Sequence, residues 1–235
     1  MSTIPQNLQA VASAIVAAAA EAGRRPDSVR LLAVSKTFGP DAVEAAAAAG
    51  QRAFGENYVQ EGVDKIRTLR ETLPHAALEW HFIGPIQSNK TRPIAEHFDW
   101  VHTVEREKIA QRLSEQRPAG LGPVNICLQV NISGEASKSG VAPQEVADLA
   151  RKVASLPNLQ LRGLMAIPEP TDDESQQRTA FRAMRELFDG LRADGLALDT
   201  LSMGMSADMR AAILEGATIV RVGSAIFGAR SYNKG

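Results

Sequence analysis

Lys36 closes the apolar run Leu31-Leu32-Ala33-Val34-Ser35, just ahead of Thr37-Phe38-Gly39. An apolar strand that ends in lysine holds a primary amine at the rim of a low-dielectric core, where desolvation disfavours the ammonium form. A neutral amine can condense with an aldehyde. Far downstream, Ser202-Met203-Gly204-Met205-Ser206 and Arg221-Val222-Gly223-Ser224 combine glycine with hydroxyl donors. A missing side chain lets backbone amides approach an anion, and a serine adds a further donor. A condensing lysine and two anion-type loops together point to pyridoxal 5'-phosphate (PLP), an aldehyde that carries a phosphate.

Such groups converge only if the elements bearing them do. Short apolar runs alternate with helical patterns along the whole chain. The runs predict strands over 31–35, 52–55, 80–84, 100–103, 125–131, 160–166, 200–203 and 219–222. Helices are expected over 40–49, 58–72, 89–97, 106–116, 143–155, 174–192 and 207–214. Pro40 and Pro143 suit first helical turns and Gly50 a helix end. Phe181, Met184, Leu187, Phe188 and Leu191 form a clear apolar stripe. Ile4, Leu8, Val11, Ala12 and Ile15 predict a further amphipathic helix ending near Gly23. Eight strands in βα alternation give an α/β fold: a single (β/α)8 TIM barrel over residues 1–235 with an extra N-terminal helix. The breaker cluster at 118–123 is too short to divide the chain. In such a barrel the active site lies at the C-terminal strand ends, and phosphate often binds after strands 7 and 8. Lys36 ends strand 1, a neighbour of strand 8 in a closed barrel, so the three pieces meet on one rim.

Composition excludes several other classes. A net charge of -1 offers no basic field for nucleic acid or anionic membrane. The apolar stretch at 10–20 has no preceding basic residue and is too short to span a bilayer, so a cytoplasmic protein is expected. Cys127, the only cysteine, allows no internal disulfide. His75, His81, His97 and His102 lack metal-ligand spacing, so no metal site is expected.

Each candidate has a plainer reading beside the chemical one. Lys36 could be a solvated strand end, and Gly204 and Gly223 mere turn glycines. Ser206 and Ser224 add hydroxyls, and a helix beginning near Ala207 would aim its amides at the same anion. Arg221 sits in an apolar strand and needs a partner. That partner is either a carboxylate such as Glu56 or Glu215, or a ring nitrogen. Asn57, at the end of Phe54-Gly55-Glu56-Asn57-Tyr58, could cap a helix or touch a ligand. His81 could face the ring or lie satisfied in the core, and Met165 reads most simply as core.

Taken together, Ala33-Val34-Ser35-Lys36, Phe54-Gly55-Glu56-Asn57-Tyr58, Trp80-His81-Phe82-Ile83-Gly84-Pro85-Ile86-Gln87-Ser88-Asn89-Lys90, Gly163-Leu164-Met165, Leu201-Ser202-Met203-Gly204-Met205-Ser206 and Arg221-Val222-Gly223-Ser224-Ala225-Ile226-Phe227-Gly228 resemble the YggS/PROSC-type pyridoxal-phosphate homeostasis proteins. The barrel of that family is similar to the N-terminal domain of alanine racemase. Ser224 stands where the family also uses threonine. The resemblance implies that Lys36 carries PLP as a Schiff base, that Arg221 meets the ring nitrogen, and that Ser206, Gly223 and Ser224 hold the phosphate. It extends the cofactor-binding set to Asn57, His81, Met165, Ser202 and Gly204. The implied role is carrier or buffer in vitamin B6 and amino-acid homeostasis, with recipient apo-enzymes as partners and no established catalytic residue.

A two-base racemase needs a proton donor on each face of its substrate. The chain carries only two tyrosines, Tyr58 and Tyr232, and neither is expected opposite Lys36. No second domain is expected past the last strand. A binding protein is therefore the leading expectation. A weak amino-acid racemase is the runner-up, and a Schiff-base aldolase on the same barrel a third class.

Overall fold

A computed structural model describes residues 3–134 and 139–229. The strands are β1 (Arg30–Val34), β2 (Ala53–Glu56), β3 (Glu79–Phe82), β4 (Trp100–Val104), β5 (Val124–Gln129), β6 (Leu159–Met165), β7 (Thr200–Ser202) and β8 (Ile219–Val222). All are parallel, and they close in chain order, with Leu32 of β1 opposite Arg221 of β8. Helix α1 (Ile4–Glu21) precedes the barrel. Then α2 (Pro40–Ala48), α3 (Val59–Thr72), α4 (Thr91–His97), α5 (Glu107–Gln116), α6 (Val146–Ala154), α7 (Glu174–Ala193) and α8 (Met209–Leu214) each follow a strand. A short α9 (Ser224–Phe227), absent from the sequence expectation, follows β8.

Period-two alternation sorts the apolar side chains into two layers. Leu32, Val34, Ala53, Ile83, Trp100, Cys127, Met165 and Ile219 form a small cluster inside the barrel. Their strand neighbours, among them Ala33, Phe54, Phe82 and Val101, join the larger layer beneath the helices. The expected strands are all present, with ends that coincide or shift by one or two residues. The 89–97 and 143–155 helices instead open with 3-10 turns at Ser88–Lys90 and Pro143–Glu145.

Local chemistry sets the helix starts. Thr3 and Gln6 cap α1 reciprocally, and the Asp173 carboxylate accepts from the Ser175 and Gln176 amides to start α7. Helix α1 is also tied to the far end of the chain. Asn7 Nδ2 donates to the Ile226 carbonyl at 2.8 Å, and Arg24 Nη1 to the Ile213 carbonyl at 2.9 Å. The first bond holds α9 against α1, and the second ties the segment after α1 to α8.

Candidate functional site

At the C-terminal mouth of the barrel lies a cavity of about 320 Å³. Lys36, Asn57, Ser206, Arg221, Gly223 and Ser224 line it. Six of the ten residues expected in the site therefore meet in one space, from β1, β2, β8 and the loop after β7. Val34, Ile83, Ile167, Met205 and Ala207 complete the wall. Val34 and Ile83 are buried, whereas Ile167 and Met205 are 42% and 40% exposed, an apolar rim suited to the face of a flat ring.

The turn bearing Lys36 is held from below. Thr37 takes a left-handed φ of 69°, unusual for a β-branched residue, and its amide donates to Glu61 Oε1 at 2.6 Å. Phe38 N donates to the Ser35 carbonyl at 3.1 Å. That carbonyl also accepts from Lys65 Nζ at 2.9 Å. Lys65, buried on α3, bonds Glu56 Oε1 at 2.7 Å and Glu61 Oε1 at 3.1 Å, and Ser35 Oγ donates to Glu56 Oε1 at 2.6 Å. Burial pushes the Glu56 carboxyl up from its ordinary range, against the pull of the Lys65 ammonium. Glu56 thus partners Lys65, and Glu215 partners Arg178, Arg182 and Arg185, so neither carboxylate serves Arg221.

Arg221 instead donates from Nη1 to Ser202 Oγ at 2.7 Å and from Nη2 to the Ala166 carbonyl at 3.0 Å. Burial pushes it down to about 10, which leaves it charged at neutral pH. A guanidinium carries five N–H donors, so it reaches the cavity with donors that these two bonds leave over. Asn57 does not cap α3; Tyr58 occupies the cap position with no side-chain bond. Asn57 Oδ1 is buried without a hydrogen-bond partner, a polar atom at the cavity wall that a bound group can satisfy. Gly84 permits this placement, because a Cβ there would lie 2.0 Å from the Asn57 carbonyl oxygen.

The other four expected residues stand back from the cavity. Ser202 reaches it only through Arg221, and Gly204 only through its carbonyl, which accepts from Arg221 N at 2.9 Å. Met165 packs in the inner cluster with Val34 and Ile83. His81 points into the barrel, its ring stacked on Trp100 at 5.2 Å between centroids, with partners Glu79 and His102. It does not line the cavity.

The loop after β7 also departs from expectation. Gly204 adopts a φ of 96°, and the Asp208 carboxylate accepts from the Met205 amide at 2.6 Å. These close a turn over 205–208, so α8 starts at Met209 and runs only six residues. Ser206 and Ala207 meet the cavity from this turn rather than from a helix N-terminus.

Sequence reasoning missed the apolar wall, Glu79 and His102 inside the barrel, and Glu61 and Lys65 on α3. Strand parity could have found the interior pair, since Glu79 lies two residues before His81. The i, i+4 spacing could have paired Glu61 with Lys65. Tyr58 is 54% exposed and outside the cavity wall, and Tyr232 lies outside the described residues. Among the described residues no group of three or more His, Cys, Asp or Glu is placed to hold a metal ion, and no helix is long and apolar enough to cross a membrane.

The model of the alanine racemase N-terminal domain matches residues 6–231. A pyridoxal phosphate homeostasis protein of Pseudomonas aeruginosa is 64% identical over 99% of this chain and 98% of its own length. Its Escherichia coli K12 counterpart is 56% identical over the whole of both chains. The structure of PipY from Synechococcus elongatus with PLP bound superposes with a TM-score of 0.83 at 37% identity, covering 96% of this chain and all of that one. Alanine racemase of Clostridium difficile shares the fold at 12% identity and a TM-score of 0.73, over 88% of this chain and 56% of that one.

Proposed function

The chain belongs to the alanine racemase N-terminal-domain family, and on that premise we propose that it binds PLP on Lys36 and serves PLP homeostasis as a carrier or buffer. The observation that carries this reading is the convergence of Lys36, Arg221, Ser206 and Ser224 on one cavity. Full-length relatives named for PLP homeostasis, and a PLP-bound structural neighbour, support it.

When bound, PLP supplies an electrophilic aldehyde and a ring able to accept electron density. The chain's own residues hold and orient it. Lys36 presents its amine from a turn fixed by Lys65 and Glu61, and that amine would hold the aldehyde by condensation with loss of one water. The Ser206 and Ser224 hydroxyls and the Gly223 backbone would hold the phosphate, and Arg221 would meet the ring nitrogen. Because arginine only donates, Arg221 would meet that nitrogen as a hydrogen-bond donor and would leave it unprotonated, which narrows the chemistry the ring would supply. Met165, Ser202, Gly204 and His81 act from behind the wall. The whole chain works as one cofactor-binding domain, in the cytoplasm, with recipient apo-enzymes as its partners.

The test is to mix PLP-loaded protein with a PLP-requiring apo-enzyme and follow activation. Activation faster than spontaneous PLP release supports delivery. No transfer, together with deuterium entry from solvent at the α-carbon of an amino acid, supports a weak racemase instead. Against that enzyme stands the absence of any described tyrosine at the cavity wall to act as second base.

A further inference from the structure

A line of polar side chains crosses the barrel interior behind the cavity. Glu79 Oε1 lies 2.7 Å from His81 Nε2, and His81 Nδ1 lies 2.8 Å from His102 Nε2. His102 Nδ1 lies 2.8 Å from Ser202 Oγ, which is 2.7 Å from Arg221 Nη1. The five residues come from β3, β4, β7 and β8. His81, His102, Ser202 and Arg221 are buried, and only the Glu79 end, also bonded by Arg30 Nη2 at 2.5 Å, reaches solvent.

The two ends dictate the proton order. Arginine only donates, so Ser202 Oγ accepts from Arg221. An ionised carboxylate only accepts, so His81 Nε2 carries a hydrogen and donates to Glu79. In a neutral ring His81 Nδ1 is then bare and must accept from His102 Nε2. His102 Nδ1 is bare in turn and accepts the Ser202 hydroxyl. Every member between the ends donates once and accepts once, and each dipole turns its positive end toward the carboxylate. Burial, which lowers both histidines, agrees with neutral rings. An added proton on His81 would reverse the two inner bonds, set two donors on Ser202 and leave the serine hydrogen without its acceptor.

We infer that Glu79, His81 and His102 are positioning residues for Arg221: a one-way hydrogen-bond chain, anchored at the carboxylate, that commits the Ser202 oxygen to the guanidinium and so fixes the donor facing the cofactor ring. This deepens the PLP-binding reading and rests on it for the role of Arg221, but the proton order itself does not. Aligned hydrogen bonds in a dry interior strengthen one another, so loss of the far acceptor is felt at the near end.

Imidazole 15N spectra of the ligand-free protein at neutral pH test the order directly. Both His81 and His102 are expected as neutral tautomers protonated at Nε2. An imidazolium, or an Nδ1-protonated ring, at either position overturns the inference. A second arm compares Glu79→Gln with Glu79→Leu. The glutamine carbonyl can accept the same bond, so the tautomers and PLP retention should follow the parent. Leucine removes the acceptor; mixed tautomers, an altered visible absorption of bound PLP and roughly fivefold weaker retention are expected. Identical behaviour of the two variants overturns the inference, whether or not leucine also costs stability. Unchanged PLP retention in Arg221→Ala would sink the cofactor reading instead, while leaving the tautomer result standing.

Discussion

At the residue scale, the proposed function rests on Lys36 and on the groups that line the cavity with it. Lys36→Ala should abolish the visible absorption band of the PLP-loaded protein. Borohydride reduction followed by peptide mass mapping should locate the adduct on Lys36 in the parent and nowhere in the variant. Arg221→Ala and Ser206→Ala should each retain PLP less well, by roughly tenfold for the charged partner and less for the exposed hydroxyl, as read by equilibrium dialysis. Lys36 and the loop serines were legible in the sequence because the barrel order brings the ends of strands 1, 7 and 8 to one rim. The partner of Arg221 was not. The sequence left a carboxylate or a ring nitrogen open, and in the structure a serine and a carbonyl accept its hydrogens. Strand parity alone would have left that choice open, since it fixes which way a side chain points but not what stands opposite.

At the scale of elements, the turn after β1 owes its shape to α3. Lys65 reaches from one helical face to the Ser35 carbonyl, and Glu61 holds the Thr37 amide one turn earlier. Removing one member of a buried ion pair leaves an uncompensated charge, whereas replacing both can be nearly neutral. Lys65→Met should therefore lower unfolding free energy by about 3 kcal/mol in urea titrations. Lys65→Met with Glu56→Gln should recover most of the loss. If the pair matters to Lys36 geometry as well, the rate of PLP capture should fall in the single variant even at temperatures where it stays folded. The loop after β7 teaches a complementary lesson. A helix beginning at Ala207 was the natural reading, yet Gly204 and Asp208 build a turn first, and the cavity-lining Ser206 rides on that turn.

At the scale of the whole molecule, the barrel buries titratable groups whose ionisation couples to folding. His81 and His102 are lowered, chiefly by burial, below the ordinary histidine value of 6.5. Below that value the unfolded chain takes up protons that the folded rings refuse, so stability should fall as pH drops through about 6.5 and below. Glu79 adds a second window. Burial raises its carboxyl, but the His81 bond and the Arg30 contact outweigh this and hold it at about 2. Its contribution is present above 4.5 and is lost as pH falls toward 2. Urea midpoints measured from pH 8 down to pH 4 should decline, and His102→Phe should flatten the upper part of that slope. A flat profile in the parent would contradict the neutral buried rings.

The sequence by itself determined the eight-fold alternation, the barrel it closes into, and the rim on which Lys36, Arg221 and the two glycine-serine loops assemble. Those features follow from periodicity and residue type, which are local properties of the chain. Tertiary structure alone decided which interior side chains pair: His81 with His102 rather than with the cavity, Ser202 with Arg221, Glu56 with Lys65. Such pairings depend on the register and tilt of strands far apart in the chain, which bring residues 100 positions apart, His102 and Ser202, to within one hydrogen bond.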